Sequence, residues 1–203
     1  MRTAFVSGVL AAFLLLPVSG CELVDKLEES GSSAQTVEVP GQGVSFEVPK
    51  DWDAINADMV SAAGFDDAFL RDVAGRMNME PAHLKQLLGK VDLFIASPHA
   101  ENGVLTNITV IGIADPKMPS AKVFRKQFRK LGARDIDITT LSTKVGDGFR
   151  VEYTRPVKDR TMRGIVLIFA HRGALLDITV TAASPDQAGE LADQIVGSLA
   201  ETD

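Results

Sequence analysis

The chain has one cysteine, one tryptophan, one tyrosine and three histidines in 203 residues. A single thiol cannot close a disulfide within the chain, so stability has to come from a buried core rather than from staples. His83, His99 and His171 lie far apart in the sequence and show no metal-ligand spacing, which argues against a histidine metal centre. There is no Gly-x-Ser-x-Gly elbow, no Walker loop and no paired cysteine, so the compact signatures of hydrolases, nucleotide enzymes and dithiol redox proteins are all missing. Carboxylates are plentiful, but Asp51, Asp53, Asp66 and Asp67 fall at turns or helix starts, where capping accounts for them. Long apolar runs are missing too. The uncharged stretch from Thr3 to Leu16 falls short of the about 20 apolar residues that a membrane-spanning helix needs.

What is present begins with that stretch. Arg2 is its only flanking charge, Pro17 ends it, and Val18-Ser19-Gly20 leads into Cys21, the sole cysteine. This is the layout of a secretory signal peptide. The aliphatic residue, two small residues and cysteine resemble the bacterial lipobox, in which small side chains let the peptidase close round an extended backbone. The resemblance implies cleavage between Gly20 and Cys21, lipidation of the Cys21 thiol and attachment at the extracytoplasmic face of the cell membrane through acyl chains such as palmitate. Two acyl chains on one residue anchor stably where one is marginal.

The chain divides into three regions: residues 1–20 as a signal peptide, 21–36 as a flexible tether and 37–203 as one globular domain. Glu22 to Thr36 is polar, with Gly31-Ser32-Ser33 at its middle and no hydrophobic period. Removing residues 1–20 takes away Arg2 alone, leaving 20 basic against 27 acidic residues and a net charge of −7. About 165 residues are enough for a single well-buried core.

Within the domain, Val44, Phe46 and Val48 alternate as a half-buried strand before Pro49. From Ile55 to Met79 the period lengthens to about 3.6: Phe65, Phe69, Val73 and Met77, with Ala62, Leu70 and Ala74 beside them, predict one helical stripe, and Gly64 interrupts an earlier turn that contains Met59, Val60 and Ala63. Pro81 to Leu88 reads as a second helix, with Pro at its first position and Gly89 as its stop. Strands are predicted at Val91 to Ser97 and Leu105 to Ile113, separated by a loop from Pro98 to Gly103. Three further strands, Phe149 to Thr154, Met162 to Ala170 and Ala174 to Ala182, make an antiparallel meander. A final helix is signalled by Ser184 as N-cap, Pro185 at the first position and Gln187 completing a capping box, with Ala188, Leu191, Ala192, Ile195, Val196 and Leu199 facing inward. The expected class is α+β, an antiparallel sheet flanked by helices.

Two units of this pattern resemble a known family. Gly43-Val44-Ser45-Phe46-Glu47-Val48-Pro49-Lys50-Asp51-Trp52 is similar to the strand, Pro, x, x, Trp opening of PsbP-like domains, including LpqN-type lipoproteins of actinobacteria. The closing strand, Ala183-Ser184-Pro185 and amphipathic helix resemble the same pattern. The resemblance implies an α/β/α sandwich, Trp52 packed into the core, and a non-enzymatic adaptor that docks another protein or envelope component, with no cofactor.

One segment departs from the overall acidity. Ser120 to Leu131 predicts a helix with Val123, Phe124, Phe128 and Leu131 inward and Lys122, Arg125, Lys126, Arg129 and Lys130 on the remaining surface. Between Lys117 and Arg134 there are seven cations and no acid. Such a face suits anionic lipid headgroups or an acidic partner; equally, acids from elsewhere in the fold can balance it. Phe124 and Phe128 are assigned to the inward side, so no aromatic shares the charged surface, and the compartment of an exported protein is wrong for nucleic acid; no nucleic-acid partner is expected. A carrier of a small apolar ligand between the helix pair and the sheet, and more distantly an envelope hydrolase, stand as alternative functions. Asp177, inside an apolar strand, is assigned by alternation to a solvent face.

Overall fold

The computed structural model describes residues 34–61, 67–114, 117–157 and 160–202. The signal peptide, Gly20, Cys21 and residues 22–33 lie outside them, as do Ala62 and Phe65.

Two tight turns organise the centre of the molecule. β4 (Leu93–Glu101) and β5 (Val104–Ile113) are joined by Asn102-Gly103, with φ of 48° and 67°. β8 (Arg160–His171) and β9 (Ala174–Ala182) are joined by Arg172-Gly173, with φ of 46° and 82°. Two left-handed residues in succession make the turn whose twist matches paired strands, and Asn-Gly is the sequence that favours it. The predicted loop from Pro98 is therefore mostly strand. β4 runs on to Glu101 across a register shift between Ala96 and Ala100, and the shift accommodates Pro98, which has no N–H for the ladder.

These strands belong to a seven-stranded antiparallel sheet in the order β3-β4-β5-β9-β8-β7-β6, where β3 is Asp53–Asn56, β6 Arg134–Ser142 and β7 Asp147–Val157. A smaller sheet has β1 (Ala34–Val39), β2 (Val44–Pro49) and β10 (Ala200–Glu201) in the order β1-β2-β10. β1 starts at Ala34, three residues before the expected domain boundary, because Ala34, Gln35 and Thr36 pair with Pro49, Val48 and Glu47. Gln35 Nε2 also donates to the Trp52 carbonyl at 2.8 Å.

The small sheet and α5 (Pro185–Ser198) pack on one face of the large sheet. Val44, Phe46, Val48, Trp52, Leu191 and Ile195 join Ile108, Ile165 and Phe169 in one buried cluster. Trp52 is core, as the Pro-Trp resemblance implied. α5 is capped on one side only. Ser184 Oγ accepts from the Gln187 N–H, but the Gln187 side chain accepts from Thr106 Oγ1 at 2.7 Å instead of returning to Ser184, so the capping box is half made.

The other face carries the remaining helices. Between Ile55 and Met79 the expected short turn and following helix form as α1 (Ala57–Ser61) and α2 (Asp67–Arg76), but the stretch begins as strand: Asp53–Asn56 is the edge strand β3, paired with β4. The buried stripe of α2 is Leu70, Val73 and Ala74, continued by Met77, while Phe69 is only half-buried. α3 (Pro81–Leu88) forms as predicted, and Leu84 and Leu88 close against Ile55 and Phe94. α4 (Ala121–Lys130) covers the β6 end of the same face. The architecture is thus α+β, an antiparallel sheet between helical layers with a second small sheet on one side.

Candidate functional site

α4 is fixed from beneath and at its end. Phe124 and Phe128 are its buried residues; Phe124 meets Phe149 edge-on at 5.9 Å, and Phe128 tilts over Tyr153 at 4.9 Å. At the C-terminus, Gly132 takes φ of +82°, its N–H donates to Arg129 O at 3.0 Å, and the Ala133 N–H donates to Phe128 O at 3.0 Å. This is the Schellman arrangement, and burial of Ala133 beside Phe128 supplies its apolar contact. Ser120 occupies the N-cap position, although its hydroxyl makes no capping bond.

So held, the helix turns Lys122, Arg125, Lys126, Arg129 and Lys130 outward, all five exposed. They form one contiguous strip along the outer side. Val123, expected inward, borders that strip and is 41% exposed, because two aromatic anchors one turn apart leave its position off the sheet. Acids do not balance the strip: among the described residues none of the five cations forms an ion pair.

Beneath α4 the large sheet is not purely apolar. Asp177 is buried rather than solvent-facing, a correction to the alternation argument. On β9 it lies between Leu175 and Thr179 on the α4 side, and a strand covered on both faces has no solvent side to offer. Burial raises the Asp177 carboxyl to about 6, partly offset by a hydrogen bond from Thr179 Oγ1 at 2.8 Å. Tyr153 is pushed up to about 12 by burial first and by the Asp177 charge second. Its ring lies over Gly164, where a Cβ would stand 2.2 Å from Cζ, so glycine is what lets Tyr153 cross β8. No motif marks either Asp177 or Tyr153. The one signal in the sequence is an acid inside the otherwise apolar strand from Ala174 to Ala182.

The opposite face holds a different electrostatic arrangement. Arg150 Nε donates to Glu152 Oε1 at 2.8 Å, Arg163 donates to Glu152 Oε2, and Arg150 also pairs with Asp193 of α5. Burial works against the Arg150 charge, but the hydrogen bonds and charges of Asp193 and Glu152 outweigh it and hold the group above its ordinary value.

Among the described residues no group of three His, Cys, Asp or Glu side chains could hold a metal. His171 is buried at the end of β8, with Nδ1 3.0 Å from Val145 O. Between α2–α3 and the sheet, the place open to an apolar ligand on sequence grounds, Val73, Leu84, Leu88, Ile55 and Phe94 are all fully buried against one another.

No family model matches the chain, and no curated protein matches it. Solved structures do. The cyanobacterial PsbP (CyanoP) of Synechocystis is 17% identical over 91% of this chain and 99% of its own, with a TM-score of 0.47. LpqN of Mycobacterium tuberculosis, described as involved in cell envelope biogenesis, is 12% identical over 86% and 94%, at 0.46. The Ran-binding protein Mog1p of Saccharomyces cerevisiae is 11% identical over 85% and 97%, at 0.49. The likeness is one of backbone path, at identities that carry no side-chain correspondence.

Proposed function

We propose that the chain is a bacterial lipoprotein, lipidated on Cys21, whose α+β domain is a non-catalytic binding module held at the extracytoplasmic face of the cell membrane. The observation that carries this reading is Val18-Ser19-Gly20-Cys21 at the end of a short uncharged run, with the only thiol of the chain at the position that lipidation requires. The residues after Cys21 are consistent with a tethered domain: twelve mostly polar residues, 22–33, separate it from the first strand at Ala34. The cationic strip of α4 is the surface best suited to an anionic partner, since it gathers five exposed cations on one helix and none of them forms an ion pair among the described residues.

Membrane fractionation of the full chain tests the anchor. Wild-type protein should pellet with membranes and incorporate a labelled palmitate analogue, whereas Cys21→Ala should appear in the soluble fraction without label. Pelleting of the alanine variant through detergent-free washes would overturn the lipoprotein reading.

A further inference from the structure

We infer that α4 is a second, electrostatic membrane contact, and that the anchored domain lies with this helix on anionic phospholipid headgroups and α5 facing outward. The inference deepens the lipoprotein reading and rests on it for the identity of the membrane. Two observations point the same way.

The first is charge. Lys122, Arg125, Lys126, Arg129 and Lys130 are exposed, lie within nine residues of one helix and have no carboxylate partners among the described residues, in a chain of net charge −6. On the far side of the large sheet, α5 exposes Asp186, Glu190 and Asp193. The domain therefore has a positive and a negative side, and an anionic surface attracts the first while repelling the second.

The second is apolar exposure. The two exposed large hydrophobic residues among those described are Val123 at 41% and Met59 at 43%. Val123 borders the cationic strip, and Met59 lies on α1, which packs beside α3 in the same helical layer. An aliphatic residue beside cations fits the boundary between headgroups and acyl chains.

The test uses the full chain purified from its host and reconstituted in phosphatidylcholine vesicles with either none or 30 mol% phosphatidylglycerol. A benzoylphenylalanine photo-crosslinker is placed at Val123 or, as the outward control, at Glu190. The expected result is lipid adducts at position 123 at least tenfold above those at 190, only with phosphatidylglycerol, and lost in 0.5 M NaCl or when Arg125→Glu and Arg129→Glu are combined. Equal adducts at the two positions, or adducts independent of phosphatidylglycerol, overturn the orientation, as does preferential crosslinking of position 123 to a protein in the host membrane. Failure of the anchor is read separately, as wild-type chain that washes off pure phosphatidylcholine vesicles. In that event, co-flotation of the Cys21→Ser chain with 30 mol% phosphatidylglycerol vesicles at low salt decides for α4 alone: binding lost on the double charge reversal supports it, and no binding overturns it.

Discussion

The helices α5 and α4, on opposite faces of the large sheet, have arginines about them that are used in opposite ways. On the α5 face, Arg150 and Arg163 share Glu152, and Arg150 also takes Asp193, so Arg163 joins β8 to β7 and Arg150 joins β7 to α5. On the α4 face, Arg125 and Arg129 point away from the protein and hold nothing; that helix is kept in place by Phe124, Phe128 and its Schellman end. Charge that performs no structural task is free for a partner. A binding surface can be altered without loss of the fold only where attachment and recognition are carried by different side chains, and α4 divides them cleanly between its two sides.

The largest effect should come from breaking the attachment. Phe128 is 1% exposed and stacks on Tyr153. Phe128→Ala removes a buried ring and leaves a cavity over β7 and β8, which costs about 3–5 kcal/mol. Denaturant titration of the variant should show its midpoint lowered accordingly, and a midpoint within error of wild type would mean that the helix is not held by its aromatic residues.

How legible this division is in the sequence depends on the residue. α3, α4, α5 and the strands of the meander follow from period, Pro and Gly because those signals are local. What the sequence conceals ahead of α1 is β3: four residues, Asp53–Asn56, are too few to show an alternation, and pairing with β4 is a long-range event that no local period records. Val123 misleads for a related reason: an apolar residue on a helix reads as inward, and only the positions of Phe124 and Phe128 show which side the sheet takes. The α5-side network joins residues 150, 152, 163 and 193, drawn from three elements, and has no signature in sequence. Asp177 is visible as an anomaly, but its burial depends on α4 covering the second face of a strand whose first face is already covered.

That burial supplies the next test. The Asp177 carboxyl titrates near 6 in the folded protein, against 3.8 ordinarily, so the folded state holds the proton more tightly than the unfolded state does. Stability contributed by the neutral form is complete below about pH 4 and is lost as pH rises through about 6. Asp177→Asn keeps an acceptor for Thr179 and cannot ionise. It should match wild type near pH 4 and exceed it at pH 8 by on the order of 2–3 kcal/mol, about 1.4 for each unit of displacement. Paired denaturation curves across that range check it; a difference that stays constant with pH would show that Asp177 does not ionise in a dry site.

The smallest effect is the most direct comparison of the two faces. Glu152→Gln leaves Arg150 and Arg163 without their shared carboxylate in half-buried positions, where side-chain exposure is 19% and 23%. The loss lies between that of an exposed pair and that of a buried one, about 1–2 kcal/mol. Arg125→Glu combined with Arg129→Glu alters twice as many side chains on exposed, unpaired positions and should change stability by about 0.5 kcal/mol or less, since removing mutual repulsion along α4 offsets the poorer match of acids to a helix C-terminus. Measured side by side by thermal denaturation, the single neutralisation should lower the melting temperature more than the double reversal. The opposite order would mean that the α4 cations are structural after all, and that their freedom from the fold, on which the membrane contact depends, is not real.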